Sequence, residues 1–139
     1  MKRAFYLLLA AELLLPLGMY GQSVNWIKTA DGQTGCKRMI ISGQAIKAVL
    51  ENGEKKSFEL RDVLSYFTND RLFVKMPLYS KGVKGEKVLM EFVRTRDDLS
   101  LYKYGEGTPR YFVFRGENLV IELLEGNSAE FQKYFGLNF

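Results

Sequence analysis

Residues 94–104, RTRDDLSLYKY, bring three basic and two acidic side chains together with a pair of tyrosines. Two carboxylates can hydrolyse a glycosidic bond if they face each other across a cleft several ångströms wide. Asp97 and Asp98 are neighbours in a turn-like text, so they would point to opposite faces of a strand or lie solvated at its end. Neither setting raises a carboxyl group toward the pKa of a general acid. The stretch therefore reads as contact surface. Arg94, Arg96, Asp97, Asp98, Tyr102 and Tyr104, with Tyr111 from the next strand, are the candidates for gripping a ligand or partner, and no catalytic residue is expected. Aromatic cross-strand pairs stabilise a sheet by about 0.2–1 kcal/mol each, so the tyrosines also have a structural reason to be there.

Other chemistries are bounded by what the chain lacks. It has no histidine, which removes Ser-His-Asp and Cys-His arrangements and histidine-containing zinc sites. Its single cysteine, Cys36, cannot form an intrachain disulfide and reads as a small buried residue. No loop spaces Asp or Asn before a terminal Glu as calcium binding requires, so no metal or cofactor is expected. The basic segment LYSKGVKGEK, residues 78–87, suggests a phosphate cradle but lacks the P-loop spacing and a following helix, and reads as a mobile connection. From Gln22 onward there are 18 Lys plus Arg against 15 Asp plus Glu, scattered along the chain. A nucleic-acid footprint would gather its cations on one face, so no nucleic-acid partner is expected.

The elements that must position these residues follow from composition and period. A length of 139 residues with 47% hydrophobic residues describes one folded domain. Lys2 and Arg3 precede an apolar run that ends near Gly21, so residues 1–21 read as an export signal and mature protein would begin at Gln22. Contact with a membrane is expected only through that segment. Residues 22–35 show little periodicity beyond an Asp31-Gly32 turn and read as an irregular or weakly paired arm. A single β-rich domain is expected over residues 36–139. In its first half, KRMIIS, AIKAVL and KSFEL alternate as strands, with Asn52-Gly53 marking a type I′ hairpin. Asp62 is expected to start one helical turn carrying Val63 and Leu64 inward. A strand RLFVKM then ends at Pro77. This order, residues 36–77, fits a small SH3-like barrel or an antiparallel meander, and closure would remove exposed edges.

The second half, residues 88–125, reads as a four-stranded antiparallel meander: VLMEFVRT, LSLYKY, RYFVF and LVIELL. Tyr102 and Tyr104 are expected opposite Tyr111 or Val113, on one face with Val120, while Leu101, Phe112, Phe114 and Ile121 take the other. Both faces are then apolar, which requires that barrel and helix cover them or that one awaits a partner. Gly126-Asn127-Ser128 offers a cap to a helix over residues 128–136, with Phe131, Tyr134 and Phe135 on one face.

The succession ENGEKKSFELRDVLSYF, DRLFVKM, MEFVRTRDDLSLYKY, RYFVFRGENLVIEL and a short terminal helix resembles small exported proteins of Bacteroidetes-type bacteria, over about residues 36–137. The resemblance implies export in a Gram-negative cell and carries no catalytic residue with it. The function expected is a non-enzymatic β-rich binding or structural module of the periplasm or outer membrane, holding an envelope protein or polymer. The alternatives are a carboxylate-dependent enzyme acting on cell-wall or glycan material, and a small-ligand binder in a barrel mouth.

Overall fold

The computed structural model describes residues 25–124 and 128–136; the expected export signal and the Gly126-Asn127 cap lie outside the described residues. The chain is mainly β. Its strands are β1 (Asn25–Thr29), β2 (Gly32–Ser42), β3 (Ala45–Leu50), β4 (Lys55–Glu59), β5 (Val63–Thr68), β6 (Arg71–Ser80), β7 (Val83–Arg96), β8 (Leu99–Tyr104), β9 (Arg110–Arg115) and β10 (Asn118–Leu123). A 3-10 turn (Leu60–Asp62) precedes β5, and helix α1 (Ser128–Phe135) follows β10. The strands form one antiparallel sheet in the order β10-β9-β8-β7-β6-β5-β1-β2-β3-β4, which does not close. In the first half β1 to β4 are neighbours in chain order, and β5 returns to pair with β1 on its other side. The β4 edge is only five residues long and carries Lys55 and Lys56, features that discourage edge pairing. Contacts divide the chain into two compact units that meet between Lys75 and Met76, inside β6.

In the unit ending at Lys75, the expected irregular arm is instead β1 and the start of β2, with β1 paired to β2 on one side and β5 on the other. Trp26 and Ile27 are 6% and 0% exposed, so β1 is buried on both faces and shows no apolar-polar alternation. Trp26 stacks on Phe67 and Tyr66 on Phe73, at centroid distances of 6.1 and 4.6 Å. The β3–β4 connection is a hairpin at Asn52-Gly53, but not of type I′. Only Gly53 has positive φ, the Gly53 N–H donates to Leu50 O, and the Leu50 N–H donates to Glu54 O. That is a three-residue loop with glycine in the left-handed position. Asp62 ends the helical turn rather than starting it: the Val63 N–H closes onto Leu60 O, Val63 opens β5 and is buried, and Leu64 faces solvent.

In the unit from Met76, the segment 78–87 is a hairpin between β6 and β7 rather than a loop. Lys81 and Gly82, at φ 51° and 78°, form its two-residue turn, and β6 continues through Pro77. The β5 partners of β6 run from Arg71 to Val74, so Pro77 lies beyond them and its missing N–H withdraws nothing from that pairing. The four-stranded meander and terminal helix are as expected, but the faces are not. Five residues, 105–109, separate Tyr104 from its partner Arg110, which sets Tyr102 opposite Phe112 and Leu101 opposite Val113. An odd loop shifts the pairing by one from the expected register and exchanges the faces. Leu101, Tyr111, Val113 and Leu123 pack with Phe131 and Phe135 of α1, while Tyr102, Phe112 and Phe114 lie on the opposite side.

Gly85 tests the β6–β7 hairpin. A Cβ there would lie 2.6 Å from the Leu78 carbonyl oxygen, which is backbone and cannot rotate away. Gly85→Ala is expected to lower stability by about 1–3 kcal/mol in denaturant unfolding; an unchanged midpoint would contradict this close approach.

Candidate functional site

The seven residues singled out by sequence are not gathered into one site. A bulge at Val93 lets Phe92 pair with Tyr102 and Arg94 with Leu101, so Arg94 points to the helix side. There its Nη1 donates to Phe135 O at 3.1 Å, a cation on the last carbonyls of α1. Arg96 is exposed near Gly136, with Nη1 3.9 Å from where a Cβ would stand. Asp97, at φ 55°, forms the two-residue β7–β8 turn with Asp98, and Asp98 accepts from Arg115 Nε at 2.6 Å. The two aspartates thus serve chain reversal and a cross-strand ion pair. Tyr111 lies against α1, its ring edge-on to Phe131 at 5.0 Å. Tyr102 lies on the other face between Phe92 and Phe114, both at 5.7 Å, and Tyr104 is half-buried beside Arg110 on that same face. The tyrosine face is thus occupied by a packed aromatic row.

Arg110 anchors the end of that row. Its Nε and Nη2 donate to the two Glu122 carboxylate oxygens at 2.8 and 3.1 Å, Nη2 also donates to Tyr79 O at 2.9 Å, and the guanidinium lies 4.9 Å from the Phe112 ring. The Glu122 hydrogen bonds raise its pKa further. With its charge shared so fully, Arg110 has little left to offer a ligand.

The unit ending at Lys75 presents a different surface. Beside β2, β3 and β4 a solvent-open depression of about 780 Å³ is lined by residues of both faces, Met39, Ala48 and Lys56 from the side of Cys36 and Arg38, Lys47 and Lys55 from the other, with no acidic side chain. Register explains the collection. Cys36 pairs with Leu50 and Arg38 with Val49, so Lys37 is an extra residue in β2 and both Lys37 and Arg38 oppose Val49. Val49 in turn pairs with Lys55, and Lys47 pairs with Ile40 on one side and Ser57 on the other. Two rungs of one face therefore read Arg38-Val49-Lys55 and Ile40-Lys47-Ser57. Arg38 and Lys55 are about 10 Å apart, two strand spacings. Lys56 points to the other side, its Nζ 4.9 Å from the Phe58 ring. Lys37, Arg38, Lys47 and Lys55 make no ion pair among the described residues.

Charge bookkeeping separates the units. Residues 25–75 hold nine Lys plus Arg against six Asp plus Glu, whereas residues 76–139 hold nine of each. The acids of the first unit lie in turns or at strand ends, as Asp31, Glu51, Glu54, Glu59, Asp62 and Asp70, while Lys37, Arg38 and Lys47 lie within strands and Lys55 opens β4. Such a face can donate hydrogen bonds and positive charge to an anion. In sequence its members are up to 18 positions apart, from Lys37 to Lys55, and look scattered. The readable signal was the pair of hairpins themselves; the bulge that turns Arg38 onto the face of Lys47 and Lys55 has no sequence mark. The sequence reading that the cations do not cluster is therefore corrected for this unit.

Two buried titratable groups have packing roles. Cys36 is fully buried with Sγ 3.7 Å from Thr34 O, and burial, then the nearby Glu51, pushes its thiol up to about 11. It stays a thiol at neutral pH. Burial alone pushes the Tyr102 phenol up to about 12. Among the described residues no three His, Cys, Asp or Glu side chains could together hold a metal ion. Comparison with family models, curated proteins and solved structures finds no match to the chain.

The Tyr102 shift gives a pH dependence of fixed sign. Between the ordinary value of 10 and about 12 the folded state keeps a proton that the unfolded state releases, so its stability is intact below pH 10 and falls as pH rises through 12. Tyr102→Phe is expected to remove about 2–3 kcal/mol of that alkaline loss in unfolding titrations while changing little at pH 7. An equally steep alkaline limb in the variant would contradict the burial of the phenol.

Proposed function

We propose that the protein is an exported, non-enzymatic binding module of a Gram-negative cell envelope, and that it holds a polyanionic partner on the β2–β3–β4 face. The observation that carries this reading is the strand register, which sets Arg38, Lys47 and Lys55 on one exposed face of β2–β4 with the extra Lys37 beside Arg38. The cluster spans about the 8–10 Å over which salt screens charge at physiological strength, so a multivalent anion meets the cations as a group. Export is supported by the basic start at Lys2 and Arg3 and the apolar run behind it. Phosphate- or carboxylate-bearing envelope polymers supply the complementary charge. The surface also agrees with the absence of an unengaged carboxylate pair at Asp97 and Asp98, the site required by the enzymatic alternative.

The test compares two variants of equal net charge on dextran sulfate beads. Arg38→Gln/Lys47→Gln/Lys55→Gln is expected to elute at much lower salt than the unaltered protein. Lys81→Gln/Lys84→Gln/Lys133→Gln, which removes three exposed cations elsewhere, is expected to elute close to it. Equal shifts for both triples would reduce the effect to net charge and overturn the reading.

A further inference from the structure

The β2–β3 hairpin differs from every other hairpin turn among the described residues. The turns of the others each carry a charged residue, among them Asp31, Glu51, Asp70, Lys81, Asp97, Glu106 and Glu117. From Met39 to Ile46 the sequence is MIISGQAI, eight residues without a charge, closed by Gly43 at φ 62°. Ile40 is 68% exposed and Ile41 43%, on opposite faces of β2 just before the turn. Immediately behind this uncharged tip come Lys37 and Arg38 on β2 and Lys47 on β3, with Lys55 one strand further.

We infer that the partner of this face is a lipid bilayer with anionic headgroups, into whose interface the β2–β3 tip inserts while the cations behind it hold the phosphates. The inference rests on the anion-binding reading above and names its partner; it also puts membrane contact on the folded domain, beyond the export segment.

Two features choose a bilayer over a soluble polyanion. The cations need anions, but Ile40 and Ile41 need an apolar phase, and a polysaccharide or nucleic acid in water supplies only the first. The face lacks the aromatic side chains on which unpaired bases stack, since none lines the depression. The dimensions also fit. Arg38 is two residues behind Ile40, about 7 Å along the strand. Interfacial elements bury their apolar side about 5–10 Å into the boundary between headgroups and chains, which leaves Arg38 at the phosphates. Lys47 is level with Ile40, and its long stem lets the ammonium reach back to that layer. The nearest acid across the hairpin is Glu59, opposite Ala45, and it is held by Arg61 Nη2 at 2.8 Å, so it meets the surface as half of a neutral pair. Gln44 O accepts the Leu60 N–H at 2.8 Å, which ties the tip to the 3-10 turn and fixes its direction.

The experiment is vesicle co-sedimentation of the full chain, with phosphatidylcholine vesicles and with vesicles that also contain phosphatidylglycerol. The apolar residues 4–21 are common to every variant, so any partition they cause cancels in the ratios between variants. The unaltered chain is expected to prefer the anionic vesicles, with the preference falling as salt is raised. Each of Arg38→Gln, Lys47→Gln and Lys55→Gln is expected to weaken that binding about fivefold. Ile40→Ser/Ile41→Ser is expected to weaken it about tenfold or more. Emission of the sole tryptophan, Trp26, which is buried, reports that each variant is folded. Equal binding to both vesicle types, or binding unaffected by either set of substitutions, would overturn the inference. Retention on dextran sulfate through Arg38, Lys47 and Lys55 without vesicle binding would overturn the lipid assignment and leave the anion-binding reading standing. Loss of both would remove the two together.

Discussion

Side chains of a β-strand alternate with a period of two, so one extra residue reverses the face of everything beyond it. Among the described residues four strands use this constraint, β5 through an extra Leu64 and three others with consequences for the faces described above. In β2, Lys37 is extra, and Met39 takes the same face as Cys36 while Arg38 and Ile40 take the face of Lys47 and Ser57. In β7, Val93 is extra, and Phe92 joins Tyr102 while Arg94 turns to α1. In β10, Val120 is extra and 38% exposed, and Ile121 is returned to Val113 on the helix side. Without these insertions Arg94 would point away from Phe135, and Arg38 would point into the face that buries Cys36, where an unpaired guanidinium is not tolerated.

The two units use their faces differently. In the one from Met76, both faces of the meander are filled, one by Phe131 and Phe135 of α1 and the other by the row of Phe92, Tyr102, Phe112 and Phe114. Its charges are balanced, and three pairs are joined, Lys87 with Glu117, Arg110 with Glu122 and Arg115 with Asp98. Ion pairs this exposed add little to stability. In the other unit the buried face is built from Ile27, Cys36, Ile46, Ala48, Phe58 and Tyr66, and the opposite face of β2–β4 keeps its cations in solvent.

Much of this architecture was legible before any coordinates. The mainly β chain, the turn at Asp31-Gly32, the hairpin at Asn52-Gly53, the meander from β7 to β10 and the terminal helix all follow from period and turn residues. What escaped was parity. The Lys37 bulge has no distinctive residue, and Gly105, Gly107 and Pro109 mark a turn without fixing its register, yet each decides which side chains meet. The Lys81-Gly82 turn was hidden because the lysines and glycines around it look like loop text, although they belong to strand ends. β1 was hidden by being buried on both sides. The RTRDDLSLYKY cluster, the clearest chemical grouping in the linear chain, is divided among a helix end, a turn, an ion pair and an aromatic row. The cationic face, dispersed in the chain, is assembled by strand pairing.

The central claim is that Lys37, Arg38, Lys47 and Lys55 act as one anion-binding face. The most direct measurement is the change in amide chemical shifts as inositol hexakisphosphate is added. The account predicts saturable shifts concentrated at residues 37–40, 47–49 and 55–57. Shifts centred instead on residues 94–98, or spread evenly over the surface lysines of both units, would contradict it.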